Sequence, residues 1–250
     1  CLVRIFIPHA DIAEWYQPHQ KYHHVLKPNF YQKFRYQQHD AVMTVHTNAA
    51  GFRDEEHGFN TKKGMKILFL GDSFAFGYGL ETQDRLDTQL RKFAEKEGIN
   101  LETVNWGVPG WGTSHQSLFA ADHLSEEKPD VLVLLFCNND PENDRGVGLP
   151  VLPDTESILY PLKTFLRKYS HIYRWLLEIR AWKIQVSAHD SVQGKGIISP
   201  EDWSRTSECI RQIHKSLINA NPEGKMLLLA AAPEDMDTSN HLQQIAGIDG

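Results

Sequence analysis

The stretch KILFLGDSFAFGYG, residues 66–79, passes from an apolar run directly into a turn that begins Gly71-Asp72-Ser73. Every residue of the run after Lys66 is apolar, which is typical of a strand covered on both faces of a parallel sheet. A serine on a sharp turn at the start of a helix exposes its hydroxyl, with backbone N–H groups close by. The stretch therefore predicts a buried strand followed by a candidate nucleophile, Ser73.

The composition is that of an ordinary globular protein, with 41% apolar and 23% charged residues in a chain of 250. The formal net charge is -6 at pH 7, because 26 Lys and Arg residues are outnumbered by 32 Asp and Glu residues. Binding to nucleic acid needs a basic surface, so nucleic acid is not a predicted partner.

Three cysteines, Cys1, Cys137 and Cys209, are an odd number and form no C-x-x-C pair, so they indicate neither a disulfide framework nor a zinc site. No set of His, Cys, Asp and Glu residues shows the spacing of metal ligands. The glycines around Ser73 match neither the P-loop nor G-x-G-x-x-G, and Ala75 breaks the G-x-S-x-G pattern. The sequence therefore predicts no metal and no organic cofactor.

No apolar run reaches the roughly 18 residues that a bilayer-spanning helix needs. The chain begins at Cys1 without a methionine, and CLVRIFI resembles the end of a removed signal or anchor. We therefore expect membrane proximity through such an anchor and favour the bacterial envelope or the extracellular space.

An α/β fold with a parallel sheet is predicted from Lys66 onward, because short apolar runs alternate with helix-length amphipathic segments. The predicted strands are residues 66–70, 102–106, 131–137 and 226–232, and the predicted crossover helices are residues 84–96 and 115–124. A further helix starts after the cap Ser199 and extends to about Asn219. Residues 1–60 show no clear periodicity and are predicted to be an irregular preamble packed on the core of a domain that comprises residues 61–250.

An insertion at residues 141–198 separates the third strand from that helix. Ile172, Trp175, Leu176 and Ile179 have the i, i+3, i+4, i+7 spacing of an amphipathic helix. Residues 163–183 contain six basic residues and one acidic residue. We favour a helix that packs on the sheet with a solvated basic face over a lid or a membrane contact.

Three of the predicted strands are followed by residues that suit acyl transfer. Ser73 follows the first strand, a glycine-rich turn at residues 105–113 follows the second, and Asn138-Asn139-Asp140 follows the third. Parallel strands end at the same edge of a sheet, so these residues are expected to converge. A glycine N–H and an Asn amide are suitable donors to an oxyanion. Each of these residues also has a purely structural explanation. The serine could be a small residue in a tight turn, the glycine could be required by turn geometry, and the Asn amide could hydrogen-bond to loop backbone.

These blocks resemble those of the SGNH hydrolases, also called GDSL-like esterases. Gly71-Asp72-Ser73-Phe74 is similar to the first block, residues 105–113 to the second, and Cys137-Asn138-Asn139-Asp140 to the third, in which Cys137 replaces a glycine. The resemblance implies Ser73 as nucleophile, with Gly110 and Asn139 as the oxyanion hole. It also implies a three-layer α/β/α sandwich with a flavodoxin-like sheet. TNAAGFRD, residues 47–54, resembles the prologue of many bacterial members.

The final block of the family, D-x-x-H after a fifth strand, supplies the general base and is not found in this sequence. Asp237 and His241 have the spacing D-x-x-x-H, which is one residue longer than the family block. His241 also follows the fourth predicted strand, where a helix is expected, so its position suits a polar residue on that helix. His115 is predicted to lie on the helix after the second block, while His23, His24 and His46 belong to no block. We therefore expect the last strand and the catalytic His and Asp to lie beyond Gly250.

The predicted function is hydrolysis of acyl esters of carbohydrates or lipids through an acyl-serine intermediate. The expected partner is thus an acylated small molecule or glycan. An O-acyltransferase acting on cell-surface polysaccharide would use the same groups with a different acceptor. A catalytically inactive binding module is the alternative from another class, favoured by the missing histidine and by Cys137.

Overall fold

The described part of the chain begins with two antiparallel β-hairpins. Strands β1 (Tyr16–His19) and β2 (His23–Leu26) form the first, and β3 (Tyr31–Tyr36) and β4 (Ala41–His46) form the second. The predicted irregular backbone is therefore wrong for the described part of residues 1–60, because strands of 4 or 6 residues are too short for a period of two to stand out. The computed structural model describes residues 14–36, 41–56, 64–146, 149–150, 157–173, 175–177, 179, 198–231 and 236–247.

The hairpins are packed against the main core of the protein. Trp15, Leu26 and Met43 are buried and belong to the same apolar cluster as Leu68 and Trp106 of the central sheet. The division into a preamble of residues 1–60 and a domain of residues 61–250 stays a prediction.

The central sheet has four parallel strands, β5 (Met65–Gly71), β6 (Leu101–Gly107), β7 (Val131–Cys137) and β8 (Lys225–Ala231). Their order is β6-β5-β7-β8. Each of the four predicted apolar runs is thus confirmed as a strand.

Helices cover both faces of this sheet, which confirms the predicted three-layer α/β/α sandwich. On β5, Leu68 and Leu70 point into the main core, whereas the intervening Phe69 belongs to a second apolar cluster against which Leu90 packs. The described α-helices are α1 (Ser73–Phe76), α2 (Leu86–Lys96), α3 (Thr113–Glu127), α4 (Asp140–Asp144), α5 (Tyr160–Tyr169), α6 (Pro200–Ala220) and α7 (Met236–Gly247).

The start of α6 was well marked in the sequence, and the predicted cap is confirmed. The Ser199 hydroxyl oxygen accepts a hydrogen bond of 3.1 Å from the backbone N–H of Asp202. The Asp202 carboxylate accepts in turn from the backbone N–H of Ser199 at 3.3 Å, which completes a capping box.

The insertion contains α5 and further helical residues at 171–173, 175–177 and 179. The predicted packing of this second helix on the sheet is wrong, because Ile172, Trp175 and Leu176 retain 52, 37 and 52% of their exposure. Amphipathic spacing predicts a helix but does not specify which surface its apolar face covers.

Arg53 ties the second hairpin to the turn that follows β5. Its guanidinium is buried and donates hydrogen bonds to the carbonyl oxygens of Thr44, Phe76, Gly77 and Leu80 at distances of 2.6 to 3.2 Å. Two of these carbonyls, at Phe76 and Gly77, lie at the end of α1, which begins with Ser73. Burial lowers the pKa of Arg53 to about 10, so the group keeps its charge at neutral pH.

We predict that Arg53→Met lowers the free energy of unfolding by about 3 kcal/mol, because four carbonyl groups lose a charged donor while their surroundings stay apolar. Urea denaturation measures this change. The control is Arg91→Met, which removes a partly exposed arginine paired with Glu55 and should change stability by less than about 1 kcal/mol. Equal effects of the two substitutions would contradict the assignment of Arg53 to the core of the fold.

Candidate active site

Ser73 occupies the first position of α1, two residues after the end of β5. The preceding Asp72 is buried, and its carboxylate accepts a hydrogen bond of 2.9 Å from the backbone N–H of Phe74. The end of β6 approaches closely, since a Cβ on Gly107 would lie 2.2 Å from the backbone nitrogen of Phe76. The serine is therefore held by a carboxylate cap and by close packing of backbone on backbone.

The three predicted site residues are brought together by the fold. Ser73, Gly110 and Asn139 line one open cavity of about 440 Å³ at the carboxyl ends of β5, β6 and β7. The remaining lining residues are Tyr16, Tyr78, Pro109, Glu142, Asn143 and Pro150.

Gly110 has a backbone conformation that favours glycine. Its φ is +88°, a region that side chains disfavour. A Cβ at this position would lie 3.0 Å from Pro150 Cδ and 3.5 Å from the ring of His24. Its backbone N–H donates to no acceptor within the described ranges, so this donor is available to a ligand in the cavity.

Asn139 lies at the N-terminal boundary of α4 and is partly exposed. Its side chain lies near the Asp72 carboxylate, where it slightly offsets the rise in the Asp72 pKa that burial causes. Its amide nitrogen carries two protons and can donate to a ligand in the cavity that Asn139 lines.

Three carboxylates near this edge of the sheet are buried, and burial raises the pKa of each. Asp72 is the cap of α1, while Asp140 and Asp144 lie on α4. Asp140 is fully buried, and repulsion by Asp72 and Asp144 adds to the effect of desolvation. One oxygen of Asp140 accepts from the Thr113 hydroxyl at 3.2 Å, and the other has no protein partner among the described residues. The edge of the sheet thus concentrates negative charge in a poorly solvated region.

None of the described histidines lines the cavity. His241 lies on α7, where its ring stacks on Trp203 of α6 with centroids 4.5 Å apart. His115 lies on α3 as predicted and accepts from the backbone N–H of Gly112 at 3.2 Å. Burial lowers the pKa of His115 to about 4. His241 thus packs against α6, and His115 stabilises the loop before α3.

Cys137, which stands where the third block has a glycine, ends β7 and is buried. Burial raises the pKa of this thiol to about 12, so it is not a thiolate nucleophile at neutral pH. In the described part of the chain, no group of three or more His, Cys, Asp or Glu side chains could hold a metal ion. No helix there is both long and apolar enough to cross a membrane.

Tyr16, Tyr78, Glu142 and Asn143 also line the cavity but were not predicted from the sequence. The polar run after the third strand could have signalled Glu142 and Asn143, since it continues directly from Asn139. Tyr16 comes from β1, and no local pattern in the sequence connects it with the carboxyl edge of the sheet.

Comparison with known proteins gave one family and several solved structures. The model of the GDSL-like Lipase/Acylhydrolase family matches residues 69–246. The structure of TesA is 16% identical, with a TM-score of 0.44 over 74% of this chain and 72% of that chain. A family 3 carbohydrate esterase of Clostridium thermocellum is 16% identical, with a TM-score of 0.42 over 74% and 71% of the two chains. AlinE4, a SGNH-hydrolase family esterase, is 19% identical, with a TM-score of 0.31 over 69% and 77%. No curated protein matched the sequence.

The buried carboxylate of Asp140 generates a prediction about stability and pH. A raised pKa means that the folded state resists ionisation, so this group lowers the free energy of unfolding as pH rises above about 4. Asn cannot ionise and keeps an oxygen that can accept from Thr113. The stability of Asp140→Asn relative to the wild type should therefore increase between about pH 5 and about pH 8, measured by urea denaturation.

The control for this prediction is Asp122→Asn, whose stability relative to the wild type should stay constant between about pH 5 and about pH 8 and increase only as pH falls below about 4. Hydrogen bonds from Lys21 and Tyr22 lower the pKa of Asp122, so this carboxylate contributes stability above its ordinary pKa that is lost as pH falls. The same trend in both variants would show that Asp140 is not the source of the effect.

Proposed function

Because this chain belongs to the family of GDSL-like lipases and acylhydrolases, we propose that it is a serine ester hydrolase with Ser73 as its nucleophile. The observation that carries this proposal is the shared cavity, in which Ser73, Gly110 and Asn139 meet although they come from three different strand ends. A serine beside two neutral donors is the arrangement that acyl transfer needs.

In the proposed reaction, Ser73 Oγ attacks the carbonyl carbon of the ester. The carbonyl oxygen becomes an oxyanion, which accepts hydrogen bonds from the N–H of Gly110 and the side-chain amide of Asn139. The alcohol then leaves with a proton, and water hydrolyses the acyl-serine. A general base must take the serine proton and give it to the leaving alcohol, the role of a histidine in the family that this chain resembles.

We propose an acylated carbohydrate, with a short acyl group, as the substrate class. The cavity of about 440 Å³ is mixed in character, and its polar groups include those of Tyr16, Tyr78, Glu142 and Asn143. Burial raises the pKa of Tyr16 above its ordinary value, so its hydroxyl stays a hydrogen-bond donor at neutral pH. Sugar hydroxyls are suitable hydrogen-bond partners for such groups.

The first test is hydrolysis of p-nitrophenyl acetate by the full-length gene product. Ser73→Ala should abolish turnover, and Asn139→Ala should lower kcat by about 10²- to 10³-fold, as expected for the loss of one oxyanion donor. Ser216→Ala is a matched control, since its hydroxyl donates to the Gln212 carbonyl on the exposed surface of α6. Undiminished hydrolysis by Ser73→Ala would exclude Ser73 as nucleophile.

A second test concerns the general base. A chain that ends at Gly250 should hydrolyse the ester about 10⁴-fold more slowly than the full-length product, if the base lies beyond that residue. His241→Ala should leave the full-length activity unchanged, because this ring stacks on Trp203 rather than lining the cavity. Robust activity of the short chain that disappears in His241→Ala would make His241 the base. Inactivity of both chains towards a panel of esters would favour a binding module.

A further inference from the structure

The first hairpin contacts the loop that carries the proposed oxyanion donor. His24 of β2 is completely buried, and its Nε2 lies 2.9 Å from the carbonyl oxygen of Pro109. The indole N–H of Trp111 donates to the backbone carbonyl of His24, also at 2.9 Å. His24 is therefore bonded to the residues on both sides of Gly110.

The contact with Pro109 involves the same peptide group that presents the N–H of Gly110. The carbonyl of residue 109 and the N–H of residue 110 belong to one planar unit and point in opposite directions when the bond is trans. No cis peptide bond occurs among the described residues. A donor bound to this carbonyl therefore fixes the direction of the N–H and polarises the amide, which strengthens the N–H as a donor.

We propose that His24 is a positioning residue for catalysis, whose Nε2–H holds and polarises the Pro109–Gly110 peptide so that the Gly110 N–H is aimed at the oxyanion. This inference rests on the proposed function. His24 does not line the cavity, so it acts through the peptide and not on the substrate.

The surroundings of His24 specify the tautomer that this role requires. A carbonyl oxygen can only accept, so Nε2 must carry the proton that lies between it and Pro109. Nδ1 of His24 then carries no proton and can only accept. It lies 2.9 Å from Nδ1 of His23, so the His23 ring is the donor of this hydrogen bond. The backbone of His23 is in the left-handed region, with a φ of 61°. Burial lowers the pKa of His24 to about 4, which keeps the ring neutral at neutral pH.

The tautomer can be tested on the wild-type protein without any substitution. The imidazole ¹⁵N resonances of His24 at neutral pH should show a protonated Nε2 and an unprotonated Nδ1. A protonated Nδ1 with a bare Nε2 would overturn the inference, because the ring could then not donate to Pro109. This measurement does not depend on catalytic activity, so it stands even if the proposed function fails.

The role in catalysis is tested with two substitutions in the full-length protein. The amide nitrogen of Gln can replace Nε2, whereas the shorter Asn cannot reach the Pro109 carbonyl. His24→Asn should lower kcat for p-nitrophenyl acetate about tenfold with KM changed less than about twofold, a smaller loss than removal of an oxyanion donor itself. His24→Gln should restore most of kcat. His46→Asn, at an exposed position on β4 of the other hairpin, is the matched control and should leave both constants unchanged.

Equal losses of kcat in His24→Asn and His24→Gln, or no loss in either, would overturn the inference while leaving the proposed function intact. The proposed function itself fails when Ser73→Ala hydrolyses the ester as fast as the wild type. If His24→Asn does not fold, the tautomer in the wild type and the rescue by His24→Gln still decide the matter.

Discussion

The hydrogen bonds of the buried Arg53 guanidinium hold together the parts from which the candidate site is built. They join the carbonyl of Thr44 on the second hairpin to the carbonyls at the end of α1 and to that of Leu80 beyond it. Buried carbonyl groups need donors, and a planar guanidinium can serve several at once. The short helix that carries Ser73 is thus fixed at its C-terminal end by a residue twenty positions earlier in the chain.

The neighbouring Asp54 extends this network to the second strand of the sheet. Its carboxylate accepts from the backbone N–H of Asn105 at 2.7 Å and pairs with the buried Arg85. Asn105 in turn donates from its side chain to the carbonyl of Ala75 in α1 at 2.8 Å. The segment that resembles a family prologue therefore has a structural role, because it links the ends of β5 and β6 where two of the predicted site residues follow.

The carboxylates at the edge of the sheet stabilise the neighbouring loops through hydrogen bonds, but their burial opposes their ionisation. Asp72 caps the helix of Ser73, and Asp144 accepts hydrogen bonds from both the hydroxyl and the backbone N–H of Ser114 at the start of α3. Each carboxylate satisfies backbone or hydroxyl donors that would otherwise be buried without partners. Desolvation opposes the ionisation of these carboxylates and of Asp140, and repulsion by Asp72 and Asp144 adds to the effect at Asp140.

The sequence by itself determined the parallel sheet and the residues that follow its strands, because both are local patterns. The apolar run predicted at residues 66–70 forms the strand Met65–Gly71. The segments that contain Ser73, Gly110 and Asn139 were expected to converge because parallel strands end at one edge, and the family resemblance selected the individual residues. Only the tertiary structure decided that Tyr16 lines the cavity and that His24 bonds to Pro109, 85 residues away. Contacts at that separation depend on how layers pack, and hydrophobic periodicity, which reports one element at a time, does not encode them.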